Sequence, residues 1–173
     1  MITLEEITLI NSPIERCFDL SRSIEVHLEG TAGTGERARG GKAVGELTTG
    51  LIAIGQQVTW SAIHFGVRQE LTSRITSMRR PDYFEDRMVK GAFRSMEHEH
   101  FFRAVSPGRT EVKDIFRFAA PVPLIGWVVE RVVLRRHMRN LLRERNYVLK
   151  RIAESDDYAK YLPALEQGGA VSG

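Results

Sequence analysis

Residues 95–119, SMEHEHFFRAVSPGRTEVKDIFRFA, decide the fold because they hold two alternating segments separated by the turn signal SPGRT. Successive side chains of a β-strand point to opposite faces, so residues two apart share a face. The residues that share the apolar face are Met96, His98, His100 and Phe102 before the turn and Val112, Asp114, Phe116 and Phe118 after it. The pattern predicts two antiparallel strands whose apolar face carries imidazoles and a carboxylate.

The same alternation runs through the residues upstream, in QQVTWSAIHF (56–65), VRQELTSRITSM (67–78) and DYFEDRMVKG (82–91). Each segment predicts one further strand. Their inward-facing residues are Val58, Trp60, Ala62 and His64, then Val67, Leu71 and Ile75, and finally Phe84, Asp86 and Met88. Together, residues 56–119 predict a five-stranded antiparallel meander. Only one of its faces is apolar, so another element must cover that face.

Helices are predicted on both sides of this meander. After a first strand in ITLEEITLIN (2–11), the segment SPIERCFDL (12–20) predicts a helix with Ser12 as N-cap, and RSIEVHLEG (22–30) predicts a second short helix. From about Leu124 to Glu154, apolar residues that include Met138 recur near the helical period. This long C-terminal helix is expected to cover the sheet.

The glycine-rich segment 30–50 contains GTGERA, which matches the G-x-G-x-x-A pattern of dinucleotide sites. That pattern requires a strand immediately before it, whereas here it follows a predicted helix. We therefore predict a mobile loop or an irregular entry into a strand, and not a phosphate site.

Composition places the chain among ordinary globular proteins. Its 173 residues carry a formal net charge of +3 and a single cysteine, Cys17, which excludes an internal disulfide. The N-terminus MITLEEITLI lacks the basic start and long apolar run of a signal peptide. We expect a cytoplasmic protein with no nucleic-acid partner, with one domain over residues 1–155 and a C-terminal tail over 156–173.

This order of elements resembles the helix-grip domain of the START and polyketide cyclase-like (SRPBCC) superfamily. The segments GLIAIGQQVTWSAIHFG, YFEDRMVKGAF and HEHFF, in that order, are similar to a bacterial ligand-binding branch of this superfamily with no assigned function. The resemblance covers about residues 2–153. It implies an α+β helix-grip fold, in which a curved antiparallel sheet wraps around the C-terminal helix and leaves a cavity between them.

The inward face of the strands then supplies the candidate site. A few convergent polar groups in an apolar concavity are typical of small-molecule sites. The candidate ligand-binding residues are Trp60, His64, Phe84, Asp86, Met88, Met96, His98, His100, Asp114, Phe116 and Met138. The expected function is the binding of a hydrophobic or amphipathic small molecule, such as a lipid or a polyketide-like compound.

Three interpretations of the inward histidines and aspartates stay open: a structural network, a polar wall that orients a ligand, and a metal site. The H-x-H spacing of His98 and His100 is common on strands, so we assign no metal and no other cofactor. No nucleophile motif is present, so the sequence favours a binding protein. The alternative enzyme is a cyclase or dehydrase that uses inward His and Asp groups as acid and base.

The C-terminal helix concentrates basic residues, among them Arg131, Arg135 and Arg136, just after PLIGWVV (123–129). They predict a solvated outer face. The alternative is transient contact of Trp127 and these arginines with an anionic membrane surface, which would help to load lipid into the cavity.

Overall fold

The computed structural model describes residues 1–32, 38–64, 66–119 and 127–162, except for the side chains of residues 31, 32, 38–42 and 127–131. The elements follow one another as strand β1 (Ile2–Ile10), helices α1 (Ile14–Ser21) and α2 (Ile24–Ala32), strands β2 (Ala38–Val44), β3 (Gln57–His64), β4 (Val67–Arg79), β5 (Tyr83–Gly91), β6 (Ser95–Ser106) and β7 (Arg109–Ala119), helix α3 (Trp127–Ala153), and a 3₁₀ helix (Asp156–Lys160).

All seven strands form one antiparallel sheet in the order β1-β7-β6-β5-β4-β3-β2. Register shifts interrupt the pairing of β4 with β5 near Ser73 and near Ser77. Such irregularities bend a sheet. The predicted α+β helix-grip architecture is therefore confirmed, with two short helices after the first strand and a long helix near the C-terminus.

The glycine-rich segment contributes one strand beyond the predicted meander. Residues 38–44 form β2, an edge strand that pairs with β3 and whose register shifts between Arg39 and Lys42. The prediction for this segment left two alternatives, a mobile loop or an irregular entry into a strand, and residues 38–44 match the second. Residues 33–37 of the GTGERA match lie outside the described residues.

The predicted start of the first helix is wrong by one residue. Pro13 occupies the N-cap position and no side chain caps the helix. Ser12 is instead buried between β1 and α1, where its carbonyl oxygen accepts a hydrogen bond of 2.8 Å from Thr110 Oγ1 of β7. This long-range hydrogen bond attaches the segment between β1 and α1 to β7.

Among the described residues, the buried apolar side chains form two clusters. The larger cluster joins α1, α2 and the C-terminal half of α3 to the sheet through residues such as Phe18, Phe84 and Leu149. The smaller cluster joins β1, β6 and β7 to Leu142 of α3 through residues such as Phe118. Beyond α3, Leu162 is buried against the larger cluster. Within the described residues, no helix is long and apolar enough to cross a membrane.

Candidate functional site

A cavity of about 500 Å³ lies between the sheet and helices α2 and α3. Its apolar wall combines strand residues such as Trp60 and Phe116 with residues of α3 such as Leu134 and Met138. Small-molecule sites span roughly 300–1,000 Å³ and are mostly apolar with a few placed polar groups. The cavity therefore has the size and lining of a small-molecule site.

Most of the sequence-predicted site residues meet at this cavity. Those that line it are Trp60, His64, Phe84, Asp86, Met96, His98, His100, Phe116 and Met138. Met88 is not on the wall; it is half-buried and packs against the smaller apolar cluster. Asp114 is not on the wall because it is fully buried and in contact with His98 and His100.

Polar residues that the strand pattern does not reveal also line the cavity, among them His27 of α2, and His137 and Arg145 of α3. A signal for the last two exists in the sequence. His137 lies between Leu134 and Leu141 at helical spacing, and Arg145 lies three residues after Leu142. Residues three or four apart share one face of a helix, so this spacing places both on the covering face.

Asp114 is the centre of a buried polar cluster. Its Oδ1 lies 2.6 Å from His100 Nδ1 and 3.1 Å from His98 Nε2, and its Oδ2 accepts a 2.7 Å hydrogen bond from Asn146 Nδ2. The Arg145 guanidinium adds an ion pair at 3.9 Å. This set of partners explains how a carboxylate is accommodated with no exposure to solvent.

Asp86 lies on the other side of the two imidazoles. Its Oδ1 is 3.4 Å from His100 Nε2 and 4.0 Å from His98 Nδ1. The strand register explains this arrangement, because Asp86 of β5 is opposite His98, and His100 of β6 is opposite Asp114. Each histidine therefore has one ring nitrogen toward Asp114 and the other toward Asp86.

The contacts with Asp114 fix the protons on both rings. A carboxylate only accepts hydrogen bonds, so His98 Nε2 and His100 Nδ1 are the nitrogens that carry a proton. Arg145 Nη2 also lies 3.2 Å from His100 Nδ1, but a lone pair there would face the carboxylate oxygen at 2.6 Å. His100 Nδ1 therefore donates its proton to Asp114 and does not accept one from Arg145.

Burial and hydrogen bonding set the charges of these groups. Burial alone would raise the pKa of Asp114, but the hydrogen bonds from His100 and His98 and the Arg145 charge hold that pKa well below its usual value. Burial also opposes ionisation of Asp86, yet its contact with His100 Nε2 at 3.4 Å and the positive charge of Arg145 leave its pKa lowered. Burial lowers the pKa of His98 to about 4, so its imidazole is neutral near pH 7.

The cavity contains two further imidazole contacts away from this cluster. The His27 ring stacks on Trp60 with centroids 4.0 Å apart, and burial lowers the pKa of His27 to about 3. His64 Nδ1 lies 3.1 Å from His137 Nε2, and burial lowers the pKa of His64 as well. These rings add hydrogen-bonding capacity to the wall without a fixed charge at His27 or His64.

The polar cluster has two chemical capabilities. A histidine oriented by a carboxylate is the arrangement that general bases use, provided that a ligand proton comes within about 3 Å. Asp86, His98 and His100 also present one donor atom each within 4.8 Å of one another, which suits a metal ion.

No protein-family model matches the chain, and no curated protein matches its sequence. Solved structures do match. TTHA0849 from Thermus thermophilus is similar with a TM-score of 0.63 and 14% identity, over 86% of this chain and 97% of that chain. A START superfamily protein from Mycobacterium smegmatis is similar with a TM-score of 0.60 and 10% identity, over 88% of this chain and 97% of that one.

The di-domain ARO/CYC StfQ from the steffimycin biosynthetic pathway is similar with a TM-score of 0.55 and 14% identity. The match covers 91% of this chain and 46% of StfQ, so the chain spans less than half the length of that protein. The fold predicted from the resemblance to START and cyclase-like proteins is thus confirmed. At such identities the likeness concerns the fold alone.

Proposed function

We propose that this helix-grip domain binds an amphipathic small molecule, with its apolar body against the cavity wall and its polar end at the His98–His100 cluster. The observation that carries the proposal is that an apolar cavity of about 500 Å³ is lined in part by one cluster of buried polar side chains. Polar groups that are already held by Asp114 lose little freedom when a ligand binds, which favours affinity and orientation.

Apolar burial sets the expected affinity. If a ligand buries roughly 300 Å² of apolar surface at about 25 cal/mol/Å², the gross gain is near 7 kcal/mol. Association costs several kcal/mol of this, so apolar contacts alone give micromolar binding at best. Tighter binding requires the polar end of the ligand to hydrogen-bond with the cluster.

The test is a binding titration with the fluorescent amphipathic anion 1-anilinonaphthalene-8-sulfonate, together with the shift that the probe causes in the melting temperature. Ala62 lines the cavity, so Ala62→Trp should fill it and abolish binding. Val89 is 52% exposed on β5 and outside the cavity, so Val89→Trp is the matched control. Equal binding by both variants would place the probe elsewhere and refute the proposal. Native mass spectrometry of the purified protein would identify any co-purifying ligand.

A second candidate function is acid–base catalysis of the cyclase or dehydrase type. It is favoured by the orientation of His98 and His100 by the buried Asp114. An acid–base residue contributes about 10² to 10⁴ in rate, so one of His98→Gln and His100→Gln would abolish turnover and leave ligand affinity nearly intact. A pure binding function predicts a modest change of affinity in both variants.

Contact with an anionic membrane remains a proposal for the start of α3. Val132 and Val133 are 60% and 39% exposed there, and Arg135 and Arg136 are exposed beside them. Val133 also lines the cavity, so this surface borders the site. The side chains of Trp127 and Arg131 lie outside the described residues. Co-sedimentation with anionic but not neutral vesicles, lost in Arg135→Glu and at high salt, would support loading from a membrane; equal, negligible sedimentation would exclude it.

A further inference from the structure

We propose that Asp86, His98 and His100 form a binding site for a divalent first-row transition metal ion at the polar end of the cavity. The inference goes beyond ligand binding, and it reverses the expectation from sequence that no metal is bound. Three observations carry it: the spacing of the donor atoms, the orientation of both rings by Asp114, and the charge of the cluster.

The donor atoms have the separations of metal ligands. Zinc binds imidazole nitrogen and carboxylate oxygen at about 2.0 to 2.2 Å, so tetrahedral ligands lie roughly 3.4 Å from one another. Asp86 Oδ1 is 3.4 Å from His100 Nε2 and 4.0 Å from His98 Nδ1. The second distance is too long for a hydrogen bond, and all three donor atoms lie within 4.8 Å of one another, so small side-chain rotations would bring them into coordination distance.

The two rings are held as metal-binding histidines are held. A ligating histidine almost always donates its other ring N–H to a carboxylate, a carbonyl or water, which fixes the tautomer and the ring orientation. Here the single buried carboxylate of Asp114 receives both rings, at 3.1 Å from His98 and 2.6 Å from His100. The other nitrogen of each ring, Nδ1 of His98 and Nε2 of His100, faces Asp86.

The charge of the cluster also favours a cation. Apart from the two imidazoles, the carboxylates of Asp86 and Asp114 outnumber the Arg145 guanidinium by one. The ring nitrogens that face Asp86 need either a proton or a metal ion between them and the carboxylate oxygen. A divalent ion would turn the net charge to one positive. The site would then suit a ligand with a carboxylate, phenolate or enolate oxygen.

The direct test is a titration of the chelator-stripped, folded protein with Zn²⁺, followed by competition with a chromophoric chelator. We expect one equivalent to bind with a dissociation constant of micromolar or below. Co²⁺ should give a visible absorption band, and the imidazole resonances of His98 and His100 should shift. Absence of one-equivalent Zn²⁺ binding by the wild-type protein would overturn the proposal.

Variants locate the ion. Asp86→Asn keeps the size of the side chain and removes the charged ligand, so affinity for Zn²⁺ should fall by at least 10-fold, and His98→Gln should act in the same direction. Asp114→Asn should weaken binding by about 10- to 100-fold through loss of ring orientation. The matched control is His64→Gln, because His64 is another cavity imidazole, paired with His137 at 3.1 Å. A loss of binding in His64→Gln with none in Asp86→Asn would place the ion at that other pair and refute the site.

The metal proposal and the binding proposal fail separately. Binding of 1-anilinonaphthalene-8-sulfonate to the stripped protein tests the cavity without the ion. If the probe binds and Zn²⁺ does not, the metal site is refuted and the ligand site stands. If Zn²⁺ binds and the probe does not, the reverse holds.

Discussion

Replacing Asp114 with asparagine should be among the most destabilising changes in this chain, because each of its oxygens has buried partners. Oδ2 accepts from Asn146, and Oδ1 accepts from both histidines. An amide has only one oxygen, so whichever end becomes the NH₂ group meets an N–H donor. At least one buried donor then lacks an acceptor, which costs about 1–3 kcal/mol.

The loss of charge adds to this cost. Arg145 is buried beside Asp114 and loses its partner in Asp114→Asn. Breaking a buried ion pair by removal of one member costs about 3–5 kcal/mol, a figure that includes the unpaired hydrogen bonds. We therefore expect a loss of about 3–5 kcal/mol in the free energy of unfolding by urea, and a fall of about 10 °C in melting temperature.

The matched control lies on the same strand. Glu111 of β7 pairs with Arg103 at 3.0 Å on the solvent side, where the arginine side chain is 70% exposed. Exposed pairs of this kind contribute about 0–1 kcal/mol, so Glu111→Gln should change stability little. If Asp114→Asn cost less than about 1 kcal/mol, as the control does, the reasoning on the buried cluster would be wrong.

Acid titration gives an independent check on the Asp114 prediction. The pKa of Asp114 in the folded protein is held well below the value of about 3.9 for an unfolded aspartate. The carboxylate therefore stabilises the protein above about pH 4, and this contribution is lost as the pH falls toward the folded-state pKa. The stability difference between wild type and Asp114→Asn should be complete at pH 7 and should shrink below pH 4. A difference that stayed constant to pH 2 would contradict the assigned charge.

Three further predictions concern other parts of the molecule. A Cβ at Gly30 would lie 2.9 Å from the Arg145 Cα. This clash with backbone outweighs a gain in helix propensity of at most about 1 kcal/mol, so Gly30→Ala should lower the free energy of unfolding in urea by about 1–2 kcal/mol. A more stable variant would refute this. Burial raises the pKa of Cys17 to about 11, so a thiol reagent at pH 8 should label the native protein far more slowly than the unfolded one; equal rates would be the contrary result. Burial lowers the pKa of His98 to about 4 and that of His27 to about 3, below the unfolded value of about 6.5. The stability of the protein should therefore decline as the pH falls from about 6.5 to 4. In an NMR titration neither ring should titrate between pH 5 and 8, and titration of either ring in that range would contradict the lowered pKa.

The strands and their inward faces could be predicted because side chains along a strand alternate between the two faces of the sheet. Once one residue is assigned to the inward face, the faces of all the others in that strand follow. On β6 and β7 the predicted inward residues are all buried, from Met96 to Phe102 and from Val112 to Phe118. Register could not be predicted, since it depends on pairing between strands. The structure settles that Asp114, and not Asp86, is opposite His100.

The helix contribution to the site was missed for a different reason. Arg145 and Asn146 lie between Leu142 and Leu149 on the inner face of α3, but charged and amide side chains in a helix are ordinarily assigned to solvent. Only the spacing to the neighbouring leucines marks them as inward. The closeness of α3 to α2, where Gly30 meets the Arg145 backbone, depends on tertiary packing that a single sequence does not display.

The position of β1 in the sheet has a consequence for how the chain folds. β1 pairs along its whole length with β7, so Ile2 lies opposite Phe118 although 115 residues separate them. Lys150 of α3 then reaches back to the Leu9 carbonyl oxygen. Closing such long loops costs entropy before any contact offsets it, which slows folding. During synthesis β1 leaves the ribosome long before its partner β7 exists. We therefore expect chaperones to bind the unpaired β1, whose apolar residues alternate with polar ones, until β7 and α3 emerge.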